Sequence, residues 1–338
     1  MVDSTVSGST PEPAAKEPTA DAARATAVED AQLKSIVESA WQDQARWSLT
    51  ASRLKGRLGL WRAIGAIGGV TGALLATIAA ALPDAGSGSE LRLPLGAAGA
   101  VVLALTAVIL RTQVSQERVQ AWIRTRSISE AIKEEIYRFL VGATPYLGGQ
   151  DVALFESNLA TSKAADQSLN REVAAVGAPS VSNRPLGPFS VDDYITKRIN
   201  AQIDGYYYPK AKENADKGNR FRNAEFGLGL LAAVLGALAA TEVIVPGLGF
   251  GVAIVTTATG AITAYLAAGR YDYQAISYYG TADRLKSLRN GFVGSARTPE
   301  AISDFVDRCE QAISSENEAW LATWKKEEGK QDGAIAPG

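Results

Sequence analysis

Long apolar runs alternate with long amphipathic ones along this chain. Four runs, 63–82, 93–110, 224–243 and 248–268, approach the roughly 20 apolar residues that span a hydrocarbon core, and none carries a charge in its middle. Little chain separates the partners of each pair, Pro83 to Arg92 in the first and Ile244 to Gly247 in the second. The pattern predicts two membrane hairpins. Between them the period is helical. Leu33, Ile36, Val37, Ala40 and Trp41 mark a helix from about Val28 to Leu60. Val119, Trp122, Ile123, Ile128, Ile132, Ile136 and Phe139 mark another from Arg111 to about Val141. A modest helical stretch follows over Asp151 to Val176. Tyr194, Ile195, Ile199, Ile203 and Tyr206 begin a further helix, which Tyr206-Tyr207-Tyr208-Pro209 is expected to interrupt. A last helix is predicted from Pro299 to Lys326.

The expected fold class is therefore an all-α membrane protein, two transmembrane hairpins with long cytoplasmic helical extensions. Residues 1–28, rich in Pro, Ala, Ser and Thr without apolar periodicity, read as a disordered tail with no signal-peptide pattern. The first module spans 29–145, a Pro/Gly/Ser-containing linker 146–190, the second module 191–328 and a frayed tail 329–338. Arg53, Lys55, Arg57 and Arg62 precede the first run, Arg111 and Arg118 follow the second, and the second hairpin is flanked likewise. The hairpin turns hold only Arg92 as a basic residue, against Asp84, Glu90 and Glu242. By the positive-inside rule both termini and the middle segment lie in the cytoplasm of a multi-pass plasma-membrane protein.

The halves also resemble each other. Sliding the first by 153 residues overlays Glu130-xx-Lys133 on Asp283-xx-Lys286 and Phe139 on Phe292. Gln44 and Trp47 answer Gln202 and Tyr206 at a slightly different offset. Two parallel copies of one module are the expectation.

Composition narrows the chemistry. There is no histidine, which removes Ser-His-Asp and Cys-His triads and histidine metal ligands. The single cysteine, Cys309, allows no disulfide within the chain. No phosphate-binding GxxxxGK[ST] loop occurs. The net charge of -2 does not suggest a nucleic-acid binder. No enzyme, catalytic residue, cofactor or metal site is expected.

At this point the residues resemble the SLATT family of bacterial two-transmembrane proteins, in two tandem copies. The second half carries Asp193-Tyr194-Ile195-xx-Arg198-xxx-Gln202-xxx-Tyr206 and Lys210-Ala211, then Tyr271, Leu285, Phe305, Glu310, Glu316 and Trp320. The first half carries Trp122, Arg126, Glu130, Lys133 and Tyr137. The resemblance covers roughly 30–145 and 190–328. It implies an effector of bacterial conflict systems built around nucleotide second messengers, one that forms or opens membrane pores when a partner signals infection. It supplies no catalytic residues. The expected partners are the lipid bilayer, further copies of the chain, and a cytoplasmic nucleotide-sensing or nucleotidyltransferase protein. A second hairpin would halve the subunits needed for a ring. A non-conducting scaffold that recruits a cytoplasmic partner is the alternative, and a small transporter a weaker third.

Candidate residues follow from the hairpins. Thr256, Thr259 and Thr263 share one side of the fourth run and would line a pore, or else bond to their own or a neighbouring helix. Gly65, Gly68, Gly69, Gly72, Gly247 and Gly251 are candidate helix-packing positions. Glu225 and Glu242 lie near opposite ends of the third run, close enough to water to stay solvated. Tyr271, Tyr273, Tyr278 and Tyr279 fit an interfacial belt or helix packing better than a ligand site.

Overall fold

A computed structural model describes residues 20–83, 86, 88–177, 179–240 and 248–316. The first 19 residues, Glu242, Gly247, Trp320 and the tail 329–338 lie outside the described residues. Among those described, the chain is helical and has no strand. Helix α1 runs without a break over Ala20–Ala81, 62 residues. At 1.5 Å per residue it is about 90 Å long, so the amphipathic segment and the first apolar run are one rod. Helix α2 (Ser89–Gln113) returns, α3 (Gln116–Val141) lies against α1, and α4 (Val152–Ala164) packs on α3. Helix α5 (Val191–Ala239) is the second long rod, α6 (Leu248–Gly269) its return, and α7 (Tyr271–Phe292) packs against α5. A final helix, α8, covers 299–316 of the described residues.

Two expectations are corrected. The helix predicted from Arg111 to Val141 breaks at Val114–Ser115, where Ser115 turns to extended backbone before α3. The return helix of the second hairpin breaks in the equivalent place, at Arg270, which sits in the left-handed region with φ 47°. The Tyr-Tyr-Tyr-Pro sequence does not interrupt its helix. Residues Ile195–Asn200 and Ile203–Tyr207 adopt wide π turns, and Pro209 falls in the first turn of the α-helical segment that follows. A proline there removes no needed donor, which is why the rod continues. The wide turns have a second effect. Tyr194, Arg198, Gln202 and Tyr206 recur every four residues, a spacing that would drift around a 3.6-residue turn. The underwound segment keeps this row turned inward, with Tyr194 and Arg198 fully buried.

Among the described residues four helices are long and apolar enough to cross a membrane. Their apolar faces point outward: Leu93 is 82% and Phe226 76% exposed. Below them lies one hydrophobic core drawn from both halves. Trp41 and Val37 of α1, Ile132, Ile136 and Phe139 of α3, Tyr194, Ile199 and Ile203 of α5, Leu285 of α7 and Val306 of α8 belong to the same cluster. The 146–190 stretch folds onto this core: Phe189 N–H donates to the Leu140 carbonyl at 2.8 Å, and Trp41 Nε1–H donates to the Pro185 carbonyl at 2.8 Å. The halves repeat one packing pattern. The inward rod contacts both its return helix and the helix after it, α1 with α2 and α3, α5 with α6 and α7. Phe139 stacks on Phe155 at 4.2 Å, and Phe292, 153 residues on, stacks on Phe305 at 4.2 Å.

Candidate functional site

In the first hairpin the small residues do different things. Gly65, Gly68 and Gly72, at i, i+3 and i+7, share one face of α1. A Cβ on Gly65 would strike Leu110, and one on Gly68 the Thr106 hydroxyl. At Gly72 it would meet Leu103 Cγ at 2.7 Å and the Gly99 carbonyl at 3.1 Å. Gly69 points elsewhere, with nothing within 4 Å. Gly99 of α2, outside the small-residue spacing of α1, meets backbone: its Cβ would come within 2.9 Å of both Ala76 N and the Gly72 carbonyl. Backbone cannot rotate out of the way as a side chain can, so Gly72 and Gly99 mark the point of closest helix approach. In the second hairpin Gly251 meets only Leu235 Cδ1, at 3.4 Å.

The threonines of α6 are satisfied locally. Thr256 Oγ1–H donates to the Val252 carbonyl at 2.8 Å, Thr259 to Val255 at 2.9 Å and Thr263 to Thr259 at 3.0 Å. Thr263 also donates to the Glu225 carboxylate, tying α6 to α5 at one end of the span. Thr256 and Thr263 are exposed and Thr259 half-buried. The tyrosines divide. Tyr278 is buried beside Tyr206 and Tyr207, with its hydroxyl accepting from Arg126 at 3.4 Å. Tyr271 packs against Phe221 and Tyr265 near the end of the span, Tyr279 lies beside Tyr208, and Tyr273 is exposed.

A network of buried charge lies beneath the hairpins. Arg198 of α5 and Glu310 of α8 are 1% and 0% exposed. They form a two-point pair, Nε to Oε1 at 3.0 Å and Nη2 to Oε2 at 2.6 Å. The Tyr194 hydroxyl donates to the same Oε1 at 2.8 Å. The Arg198 guanidinium lies 5.0 Å over the Tyr137 ring of α3. With the Gln202 amide oriented by its partners, its oxygen accepts from Arg198 Nη1 at 3.0 Å and from Lys133 Nζ at 2.9 Å. Arg126 of α3 reaches Glu316 of α8 at 2.9 Å, an ion pair between the two halves. Burial disfavours the charge on Arg198, but Glu310 and Glu130 outweigh it, so its pKa stands well above the ordinary value. Glu130 is likewise penalised by burial, yet Lys133, Arg198 and Arg126 hold its pKa below the usual carboxylate range. Burial pushes Lys133 down to about 8, with Arg198 and Arg184 adding to the effect and Glu130 opposing it. Cys309 is buried, and burial together with Glu310 pushes its thiol well up, out of the reactive range. Among the described residues no group of three or more His, Cys, Asp or Glu is placed to hold a metal ion.

Residues 194–320 match the family model described as "SMODS and SLOG-associating 2TM effector domain 1". The second half carries a SLATT domain. Residues 43–152 match a different model, a protein family of unknown function called DUF4231. No curated protein and no solved structure gives a significant match. The SLATT match begins at Tyr194, the first residue of the inward row of α5, and reaches past Glu310 and Glu316. It thus takes in both partners of the Arg198–Glu310 pair but only one partner of Arg126–Glu316. The other, Arg126, lies within the DUF4231 match. The first half therefore completes the polar core of the SLATT domain.

Proposed function

We propose that this protein is an integral plasma-membrane effector of a bacterial conflict system, with four spans, both termini in the cytoplasm, and an action on the membrane itself: a pore or a perturbation made by an oligomer of this chain. The observation that carries the reading is the join between two structures. Outward-facing apolar helices of membrane length continue without a break, through α1 and α5, into one core sealed by buried ion pairs. Segments within 29–62, 111–190 and 270–316 all contribute to that core or its flanks, which supports their lying on one side of the membrane. This supports the orientation expected from the basic flanks. The matched description, a two-transmembrane effector domain, fits the same reading. So do tandem copies of one hairpin module, given the repeated packing and the paired Phe stacks, although the first half matches another family model. In this reading the polar core takes the signal, directly or from a nucleotide-sensing or nucleotidyltransferase partner. Passage occurs through the hairpins, and no catalysis is involved.

The test is membrane potential. Induced expression in cells loaded with a potential-sensitive dye is expected to depolarise them under activating conditions. Unchanged potential, with the protein confirmed in the membrane, would return the chain to the scaffold reading. If conductance is seen, replacing Thr259 and Thr263 with leucine is expected to reduce it several-fold where those hydroxyls face the water path. Equal conductance would assign the stripe to its observed back-bonding within α6.

A further inference from the structure

Between the two halves, below the first span, lies a cavity of about 490 Å³ lined from α1, α3, α5, α8 and the 146–190 segment. Its wall carries five cations, Lys55, Arg126, Lys133, Arg184 and Lys210, and one carboxylate, Glu130. Arg126 is neutralised by Glu316, and Glu213 is shared between Lys210 at 2.7 Å and Lys217 at 2.6 Å. That leaves Lys55, Lys133 and Arg184, with part of the charge of Lys210, facing Glu130, a surplus of at least two positive charges. The surplus matches one phosphoryl group, which carries about -1.5 to -2 at pH 7. The volume is far larger than a phosphate and lies within the range of small-molecule sites, roughly 300–1,000 Å³. The same wall presents the rings of Trp122, Tyr206 and Tyr207. Glu130 Oε2 is buried, 3.8 Å from Arg198, and accepts no hydrogen bond. A buried acceptor without a donor is costly and is a natural match for a ligand N–H.

We infer that this cavity is a binding site for a soluble, nucleotide-sized organic phosphate, its phosphoryl group held by Lys55, Lys133 and Arg184 and its N–H-bearing ring placed toward Glu130 and the aromatic wall. Burial lowers Lys133 to about 8, and the neighbouring cations Arg198 and Arg184 add to it. The site's position gives it a mechanical consequence. Lys55 stands eight residues, about 12 Å, before the first span on α1, and Lys210 fourteen residues, about 21 Å, before the third on α5. A ligand drawing these rods together would act on both hairpins. That consequence rests on the effector reading; the binding does not.

The full chain in phosphatidylcholine nanodiscs is titrated with AMP, ATP and inorganic phosphate by calorimetry and thermal shift. At least one nucleotide is expected to bind, and inorganic phosphate at least ten-fold more weakly. Lys55→Gln and Lys133→Gln should each weaken binding about ten-fold or more, and Lys286→Gln on exposed α7 should not. Lys55 is exposed, so its variant does not threaten the fold. Affinity should fall as pH rises from 7 to 9, by about ten-fold as Lys133 loses its proton with a pKa near 8, because a phosphate with its second pKa near 6 changes charge little there. The opposing groups are Glu130 and Glu310 around Lys133, and Glu213 beside Lys55, with Lys210 and Lys217 of α5 on the same side as Lys55. No binding of either nucleotide, binding unchanged in both lysine variants, or stabilisation only by phosphatidylglycerol nanodiscs would each overturn the assignment. Binding without any change in membrane potential would support it while counting against the effector reading.

Discussion

Replacing Glu310 with alanine should lower the melting temperature of the nanodisc-embedded protein by on the order of 10 °C. The substitution leaves Arg198, 1% exposed, with its guanidinium stripped of both carboxylate contacts, and leaves the Tyr194 hydroxyl without an acceptor. Breaking a buried pair from one side costs about 3–5 kcal/mol, and in a chain of this size each kcal/mol shifts the transition by a few degrees. Of the remaining contacts of Arg198, Gln202 and the Tyr137 ring are neutral, and Glu130 Oε2 at 3.8 Å is beyond hydrogen-bond distance, so none replaces the two-point carboxylate pair. The double variant Arg198→Met, Glu310→Leu should recover a large part of the loss, because an apolar pair of similar volume has no buried charge to compensate. Tryptophan fluorescence on heating reads both. A single variant within a degree or two of the parent would show that the pair is not a closed, desolvated element.

The second large effect is expected at Gly99. Replacing it with leucine should open the first hairpin, at a cost of about 1–3 kcal/mol or more, since the new Cβ meets the backbone of Gly72 and Ala76 at 2.9 Å. Gly69→Ala, with nothing within 4 Å, should stay within about 0.5 kcal/mol of the parent. Limited proteolysis and melting temperature separate the two. Equal effects would mean that small residues along α1 contribute through helix propensity and not through close approach to α2.

The hairpins were legible in the sequence because hydropathy is a local property: twenty apolar residues announce a span whatever lies around them. The glycine interface was half legible. Gly65, Gly68 and Gly72 carry the right spacing, but Gly99 lies on the other helix, and only the crossing point shows which glycines meet. The continuity of the helix through Tyr206 to Pro209 is not legible in the sequence, because a proline usually ends a helix; here Pro209 falls in the first α-helical turn after the π turns. The buried charge network was the least legible part. Arg198 and Glu310 are 112 residues apart, and Arg126 and Glu316 are 190 apart, so pairing depends on topology and not on pattern. Arg198, Glu310, Arg126 and Glu316 entered only through the SLATT resemblance. Lys55 was read as a basic flank of the first span, and its place in a cavity wall appeared with the fold.

The arrangement in which all soluble segments close into one core on one side of the membrane, beneath two hairpins, can be tested directly. In a Cys309→Ala background, single cysteines at Gly86, Gly149 and Thr298 are exposed to a membrane-impermeant maleimide in intact cells and again after permeabilisation. Labelling of Gly86→Cys in intact cells, with Gly149→Cys and Thr298→Cys labelled only after permeabilisation, is the predicted result. External labelling of Gly149→Cys or Thr298→Cys in intact cells would place part of that core on the far side of the membrane and contradict the fold as described.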